Sequence, residues 1–416
     1  MPSLEILERI AATLAPDTAG GGEHSGRPLE GIRVLDLTRV LAGPYCTMIL
    51  SDLGAEVVKV EQPGKGDDSR HFGPFKNDES LYFASINREK KSVSLNLKHE
   101  KGKALFRKLV PDFDVVIENF RPGVMDKLGF GYDDLKKLNP RIIYASSSGF
   151  GHSGPDSQKP AYDILVQAMG GIMSITGWED TPPTRVGASI GDITASLFTA
   201  IGITSALYQR TVTGVGQKID VAMLDCQVAI LENALARYQV AKENPKPLGS
   251  RHPTITPFQV FPTSDDYIVV AVGNDVLWAN FCRAVGRDDL FEDVRFKTNG
   301  GRTEHLQELT AILEPLFASK STTDWLAILN EAGIPHAKIY KIDEVMRHRQ
   351  VNARNMVVAL DDPQLEGIKI AGNPIKMDSV PEREARGKAP EIGEHNAHYY
   401  GLLQEELDTL REEGVL

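Results

Sequence analysis

The chain has 416 residues, of which 41% are hydrophobic and 25% charged, with a formal net charge of −11. That length exceeds one ordinary core, so two domains or one elaborated domain are expected, and the composition is that of a soluble globular protein. The acidic balance argues against nucleic acid as the main partner, and three widely spaced cysteines (Cys46, Cys226, Cys282) without CxxC or Cys/His spacing read as reduced thiols rather than a zinc site.

Residues Met1 to Arg27 carry Glu5, Glu8, Asp17 and Glu23, acids that transit peptides avoid, and they lack the apolar centre of a secretory signal. Leu4 to Leu14 patterns as a short amphipathic helix, followed by a Gly20-Gly21-Gly22 linker. No apolar run is read as long enough to span a bilayer, so a cytoplasmic protein without membrane segments is expected.

From Leu29 the pattern becomes regular. A buried strand over Ile32–Leu37 ends in Ala42-Gly43-Pro44, a helix follows over Tyr45–Leu53, and a strand over Ala55–Glu61 closes with Pro63-Gly64-Lys65-Gly66. Strand, small-residue turn, helix and strand open a doubly wound sheet, although no GxGxxG fingerprint is present. The basic turn Asn87-Arg88-Glu89-Lys90-Lys91 feeds a strand over Ser92–Leu97. Helix Glu100–Leu109, strand Val115–Glu118 and strand Arg141–Ser146 come next, each strand ending in Gly, Pro, Asn or Ser. In open α/β sheets ligands bind beyond those carboxyl ends. A helix is predicted over Ala161–Met173, then a Gly/Pro loop from Thr176, a long apolar helix over Asp192–Tyr208, a strand over Lys218–Val221 and a helix over Met223–Val240. The polar Lys242–Pro247 stretch marks a domain change. Beyond it lie a strand at Tyr267–Val272, helices at Leu277–Val285, Leu306–Phe317 and Thr323–Ala332, and, from about Val345, short strands between Pro-bearing turns.

Two groups of residues invite a chemical reading. Lys90, Lys91, Lys98, Arg121 and Lys127 fall near strand ends, where they form either a solvated face or a pocket for a phosphate-bearing ligand. Asp180 and Asp192 flank the Gly/Pro loop. Each is an ordinary turn or N-cap residue, or else a carboxylate nucleophile, which needs no general base because it is ionised near neutral pH. Asp192 is the better placed, since a helix N-terminus favours its charge and Gly191 leaves room for a ligand. A lone loop histidine such as His152 or His252 reads as a surface group without metal-binding spacing, and Ser146-Ser147-Ser148-Gly149 is not a GxSxG elbow.

In order along the chain, Leu29–Thr38, Leu41-Ala42-Gly43-Pro44, Gly54–Glu61, Gly64–Arg70, Asn87–Leu97, Glu118–Gly123, Ser148–Gly151, Thr176–Pro183, Gly191-Asp192 and Thr213–Gln217 resemble the class III CoA-transferases, the family of formyl-CoA and carnitine CoA-transferases. The resemblance implies an α/β fold with a Rossmann-like doubly wound large domain built from both chain ends (residues 29–241 and 345–416), a smaller α+β domain over 242–344, and an N-terminal extension over 1–28. It implies an interlocked homodimer, no tightly bound cofactor, and coenzyme A or acyl-CoA as substrate. By residue matching Asp192 is the nucleophile, carried through mixed-anhydride and aspartyl-CoA thioester intermediates, and Tyr162 lines the site. CoA contacts are implied at Val40, Leu41 and Ala42, at Leu95, Asn96, Leu97 and Lys98, and at Asn119, Phe120, Arg121 and Lys127. Ser148, Gly149, Phe150 and Gly151 are placed near the thioester, and Gln62 stands where formyl-CoA transferases carry Arg. Leu41 in place of Gln, and Arg251-His252-Pro253-Thr254 in place of a glycine-rich lid, depart from formyl and oxalyl specificity; Arg251 or His252 is available for an acceptor carboxylate. Thr38–Pro44 and Ile255–Gln259 resemble the succinyl-CoA-dependent dicarboxylate CoA-transferases. The alternatives are an α-methylacyl-CoA racemase, whose Gly-His-Asp motif is here Ala161-Tyr162-Asp163 without the proton-moving His, and a CoA-binding protein without catalysis.

Overall fold

The computed structural model describes residues 26–416, so the Leu4–Leu14 helix and the triple glycine lie outside the described residues. The chain divides into two compact units, one taking the chain up to Ile172 with Val186–Glu232 and Arg349–Leu416, the other Met173–Arg185 with Asn233–His348.

The first unit is built on six parallel strands: β1 (Arg33–Asp36), β2 (Glu56–Glu61), β3 (Lys91–Ser94), β4 (Val115–Glu118), β5 (Ile143–Ser148) and β6 (Lys218–Ala222). Their order in space is β3-β2-β1-β4-β5-β6, so the direction of winding reverses between β1 and β4. Such a switch point leaves a crevice beyond the strand ends. Alternation along the strands feeds two cores. Val34, Val57, Val115 and Ile143 face helix α1 (Ala42–Asp52) and a long later helix, while Leu35, Val58, Val93 and Val116 face helix α3 (Glu100–Leu109) and the C-terminal segment. A short helix α2 (Leu81–Asn87) precedes β3. Each large apolar side chain so buried contributes roughly 1.5–3 kcal/mol, which fixes strand register, since a one-residue slip would turn both faces over.

After β5 come helix α4 (Asp163–Met169), the long helix α5 (Ile190–Thr213) and helix α6 (Met223–Ala229). The predicted Ala161–Met173 helix is shorter because the chain turns at Gly170 and Gly171, the latter at φ +87°. The predicted Met223–Val240 helix breaks after Ala229 and resumes at Ala234–Ala241, across the boundary between the units. Helix α5 corrects the membrane reading: its 24 residues are long and apolar enough to cross a bilayer by length and composition. Ala195, Ala200, Ile203, Ala206 and Leu207 bury one face of it in this unit. Toward the C-terminus, strands at Val357–Asp361, Lys369–Ala371 and Ala385–Gly387 form a small sheet. Two helices that the Pro-bearing pattern concealed follow, Asn396–Tyr400 and Gln404–Glu412. They pin the end of β3: Asn396 Oδ1 accepts from Ser94 N at 2.9 Å, Tyr400 donates to Ser94 O at 3.0 Å, and Val415 O accepts from Asn96 N at 2.8 Å.

The second unit packs an antiparallel three-stranded sheet (Phe258–Pro262, Tyr267–Ala271, His336–Lys338) against helices Asp275–Ala284, Leu306–Ala318 and Thr322–Glu331. Its core centres on Trp278, Phe281, Phe317 and Trp325. The Gly/Pro loop belongs to this unit. Gly249, at φ +63°, lies against the Trp178 ring, where a Cβ would come within 2.5 Å, and its N–H donates to Gly177 O at 2.8 Å.

Candidate active site

Beyond the ends of β1, β2 and β3 lies a cavity of about 590 Å³. Of the residues expected to touch CoA, Gln62, Leu95, Asn96, Leu97, Lys98 and Phe120 line it, together with Thr38, Arg39, Lys59 and Asp67. Arg121 and Lys127 are exposed outside the lining. Asn119 does not line the cavity; it clasps the switch point, accepting from Arg39 N at 2.9 Å and donating to Arg39 O at 2.8 Å. The Arg39 guanidinium lies 5.5 Å from the Phe120 ring centre.

The basic turn resolves into distinct roles. Lys90 is neither solvated nor part of the cavity wall. Its ammonium donates to Thr47 Oγ1 at 2.7 Å, Asn87 Oδ1 at 2.8 Å and Pro44 O at 3.0 Å, and pairs with Asp36 at 3.2 Å. Burial, opposed by Asp36, lowers its pKa to about 8. Lys90 therefore joins β1 to the start of α1. Lys91 is exposed at the start of β3.

Val40, Leu41 and Ala42 form the turn into α1. Gly43 is required there, because a Cβ would meet the Thr38 side chain at 2.2 Å. Val40 has φ +69°, a left-handed conformation that a β-branched residue holds at a cost of order 1–3 kcal/mol. The turn reaches the Asp192 helix through one hydroxyl: Ser196 Oγ donates to Ala42 O and lies 2.7 Å from Asp192 O.

Asp192 stands in the first turn of α5 but is not its cap. The N-cap position is Ser189, and the side chain that takes an N–H of this turn is that of Asp163, whose Oδ1 accepts from Gly191 at 2.8 Å. Asp163 Oδ2 accepts from Gln167 Nε2 at 2.8 Å, and Gln167 Oε1 accepts from Val186 N at 2.9 Å, so a buried relay fixes the approach to the helix. Gly191 serves this packing: a Cβ would meet Val166 at 2.6 Å and Asp163 Oδ1 at 3.0 Å. The expectation that the helix end keeps Asp192 readily ionised is overturned. Burial, reinforced by the Asp163 carboxylate, raises its pKa to about 7.

A small core of Val166, Ala195, Met223 and Cys226, with Phe150 and Ala161 packed on it, gathers the other candidates around this helix. Gly149 O accepts from Leu224 N at 3.0 Å, and Gly151, at φ +77°, donates to Ser148 Oγ at 3.0 Å. Tyr162, at the start of α4, is 75% exposed. His152 is not a surface group: its Nε2 is buried 3.6 Å from Glu118, and burial lowers its pKa. Asp180 is exposed at φ +63° in the second unit, as a turn residue, and Glu179 pairs with Lys246 at 2.8 Å. Arg251 and His252 also belong to that unit, where the His252 ring packs 5.4 Å from Phe258.

Sequence reasoning missed Tyr82 and gave Asp163 no role of its own. Burial, then the charges of Asp192, Asp67 and Asp163, push the Tyr82 phenol up to about 12. Nothing in the apolar pattern of α2 marks it. Asp163 carried only the weak signal of an acid at a helix start.

The sequence model of CoA-transferase family III matches residues 29–396. The chain is 44% identical to an acetyl-CoA:oxalate CoA-transferase of Acetobacter aceti, covering 89% of this chain and 94% of that one. It is 39% identical to the human succinyl-CoA:glutarate CoA-transferase, over 95% and 93%. Its fold matches a crystal structure of a CAIB/BAIF family protein from Brucella suis with a TM-score of 0.78 and 38% identity, over 93% of this chain and 99% of that chain.

Proposed function

Because the chain belongs to CoA-transferase family III, and so moves CoA between an acyl-CoA thioester and a carboxylate, we propose that Asp192 is the covalent nucleophile and that the cavity beyond β1–β3 holds the coenzyme. The observation that carries this reading is a half-buried carboxylate at the first turn of α5, a helix whose Asp192 main-chain carbonyl is joined through the Ser196 hydroxyl to the turn that leads to the cavity. A carboxylate with a raised pKa is a stronger nucleophile than one on the surface, and its partial burial limits the access of water that would hydrolyse an anhydride.

The chemistry then runs in four exchanges. Asp192 attacks the thioester carbonyl, expelling CoA thiolate and forming a mixed anhydride. The thiolate attacks the Asp192 carbonyl, releasing the first carboxylate and leaving an aspartyl thioester. The acceptor carboxylate attacks that thioester, again freeing the thiolate, which takes the acceptor's acyl carbon and restores Asp192. The activation passes from the donor acyl group to Asp192 and then to the acceptor, without hydrolysis in between.

The donor we propose is succinyl-CoA and the acceptor a small dicarboxylate, on the sequence motifs shared with that subgroup and on the relatives named for glutarate, mesaconate and citramalate. The relative named for acetyl-CoA and oxalate makes both necessary comparisons. With succinyl-CoA carbon-labelled in its succinyl group, label is expected to be released fastest as free succinate when the acceptor is a four- or five-carbon dicarboxylate. A preference for acetyl-CoA with oxalate would replace this assignment.

We also propose a homodimer. Helix α5 leaves Leu197, Phe198, Ile201, Tyr208 and Val212 exposed, and α4 leaves Ile164, Leu165 and Met169. Apolar patches on this scale mark interaction surfaces, and a second copy of the chain is the occupant we propose for this one. Light scattering is expected to give twice the chain mass; a mass of one chain would remove the proposal.

A further inference from the structure

The turn between β1 and α1 is held from below by two buried charges that none of the four exchanges uses. The N–H of Val40 donates to Asp67 Oδ1 at 3.1 Å. Asp67 Oδ2 pairs with Lys59 Nζ at 2.7 Å, and the same ammonium donates to Thr38 O at 2.7 Å. Both side chains are 0–1% exposed. Asp67 is itself fixed by Ser69, whose N–H and hydroxyl donate to Oδ1 at 2.9 and 2.7 Å, and its own N–H donates to Glu61 Oε2 at 2.9 Å. Glu61 is in turn gripped by Arg70 through two bonds of 2.7 and 2.8 Å.

An ion pair at this depth stabilises a fold no better than apolar side chains of the same volume would. What it supplies is geometry. A β-branched residue at positive φ persists only where its surroundings over-determine it, and such residues gather at functional sites. Here the over-determining group is Asp67 on one side and the Asn119 clasp on Arg39 on the other. The turn faces two ways as well: Thr38 and Arg39 line the cavity, and Ala42 O takes the Ser196 hydroxyl that also meets Asp192 O. Burial opposes ionisation of Asp67, and Lys59 overcomes it, holding the carboxyl well below the usual carboxylate range. The acceptor offered to Val40 is therefore charged at every working pH.

We propose that Asp67, anchored by Lys59, is a positioning residue for CoA transfer: it holds the Val40 turn in a conformation the chain would otherwise leave, and so sets the cavity wall against the Asp192 helix. The inference rests on the reading of the cavity as the coenzyme site. It gives the GDDSR stretch, Gly66 to Arg70, a function in the reaction without contact with the reacting atoms.

The test uses the full chain, succinyl-CoA and two variants. Asp67→Ala strips the turn of its acceptor, and kcat/KM for succinyl-CoA is expected to fall about tenfold or more, the usual effect of losing a hydrogen bond to a charged group. In Asp67→Ala/Val40→Gly, glycine takes positive φ without strain, and kcat/KM is expected to recover by at least about threefold over the single variant. Parental kcat/KM in Asp67→Ala overturns the proposal. So does a double variant whose melting temperature rises while its kcat/KM stays at the level of the single one, the pattern of a purely structural role. If Asp67→Ala does not fold, Asp67→Asn replaces it with the same deciding outcomes, since Val40 and Lys59 are held by different carboxylate oxygens and the amide keeps an oxygen at only one of those positions. The cavity reading is checked separately with Leu97→Trp, by calorimetry with free CoA. CoA affinity untouched by that variant removes the cavity reading; affinity lost there, with no recovery from the glycine, removes the positioning role alone.

Discussion

Asp192→Ala is expected to reduce CoA transfer to background, a loss on the order of 10⁴-fold, while CoA still binds with near-parental affinity. The expectation follows from the separation of roles in the structure. The cavity is lined by Lys59–Glu61 of β2, by residues that follow β1, β2, β3 and β4, and by Gly414, none of them from α5, so removing a carboxylate from the first turn of that helix leaves the coenzyme's contacts in place. A loss of chemistry with retained binding marks an interaction made only on the way to the transition state. The covalent step has its own signature. Parent protein incubated with succinyl-CoA and quenched with hydroxylamine should carry a hydroxamate on the peptide containing Asp192, seen by mass spectrometry. Label on Asp163 or Asp180 instead would move the nucleophile. Asp180→Ala should keep most activity, because that side chain is an exposed turn residue of the other unit.

The second expectation is that Asp192→Asn makes an inactive protein more stable at alkaline pH. Asp192 has a folded pKa of about 7 against an ordinary value of 3.8, so the folded state holds its proton more tightly than the unfolded chain does. For an acid shifted upward, stability is lost as pH rises from about 4 to about 7, where the unfolded chain ionises freely and the buried site resists. An amide in its place carries no such cost. The Asn variant should therefore melt above the parent at pH 8, by a margin on the order of 3 kcal/mol, narrowing steadily as pH falls toward 4. Equal melting temperatures at pH 8 would show that the carboxylate is not held against ionisation. The same pKa sets activity: transfer should decline as pH falls through about 7, because the protonated acid cannot attack. Asp163→Asn keeps an oxygen for the Gly191 N–H and removes the neighbouring charge, so the midpoint of that decline should move to lower pH. An unmoved midpoint would make burial the sole cause. Activity in this site is thus obtained against stability, as is common for reactive groups.

Much of the organisation was legible in the sequence, for physical reasons tied to particular stretches. Strands such as Val115–Glu118, buried on both faces, must be apolar throughout, and the turns that follow them must be Gly, Pro, Asn or Ser. That pattern places Gln62 and Phe120 beyond strand ends, where the cavity is found, while Leu95–Leu97, which the pattern put inside a strand, were pointed to only by the family resemblance. Order along the chain likewise marked Gly191-Asp192 as the entry to a long helix. Helix ends were less legible, since Gly170 and Gly171 stop α4 where the apolar pattern ran on. The two C-terminal helices were hidden because their apolar faces make sense only against β3.

What only the tertiary structure decided is the electrostatic state of each charge. Lys90 read as part of a solvated face or a phosphate pocket and Asp67 only as one residue of a motif, yet both are buried and paired, because β1, β2 and β3 bring their ends together across dozens of residues of sequence. Asp192 read as a carboxylate kept ionised by a helix end. Burial reverses the sign of that shift, and Asp163, 29 positions earlier, which takes the Gly191 N–H of the same turn, adds its negative charge to the effect. Local sequence fixes which residues stand at strand and helix ends. Burial and the charges brought within a few ångströms, which are properties of the fold, fix what those residues can do.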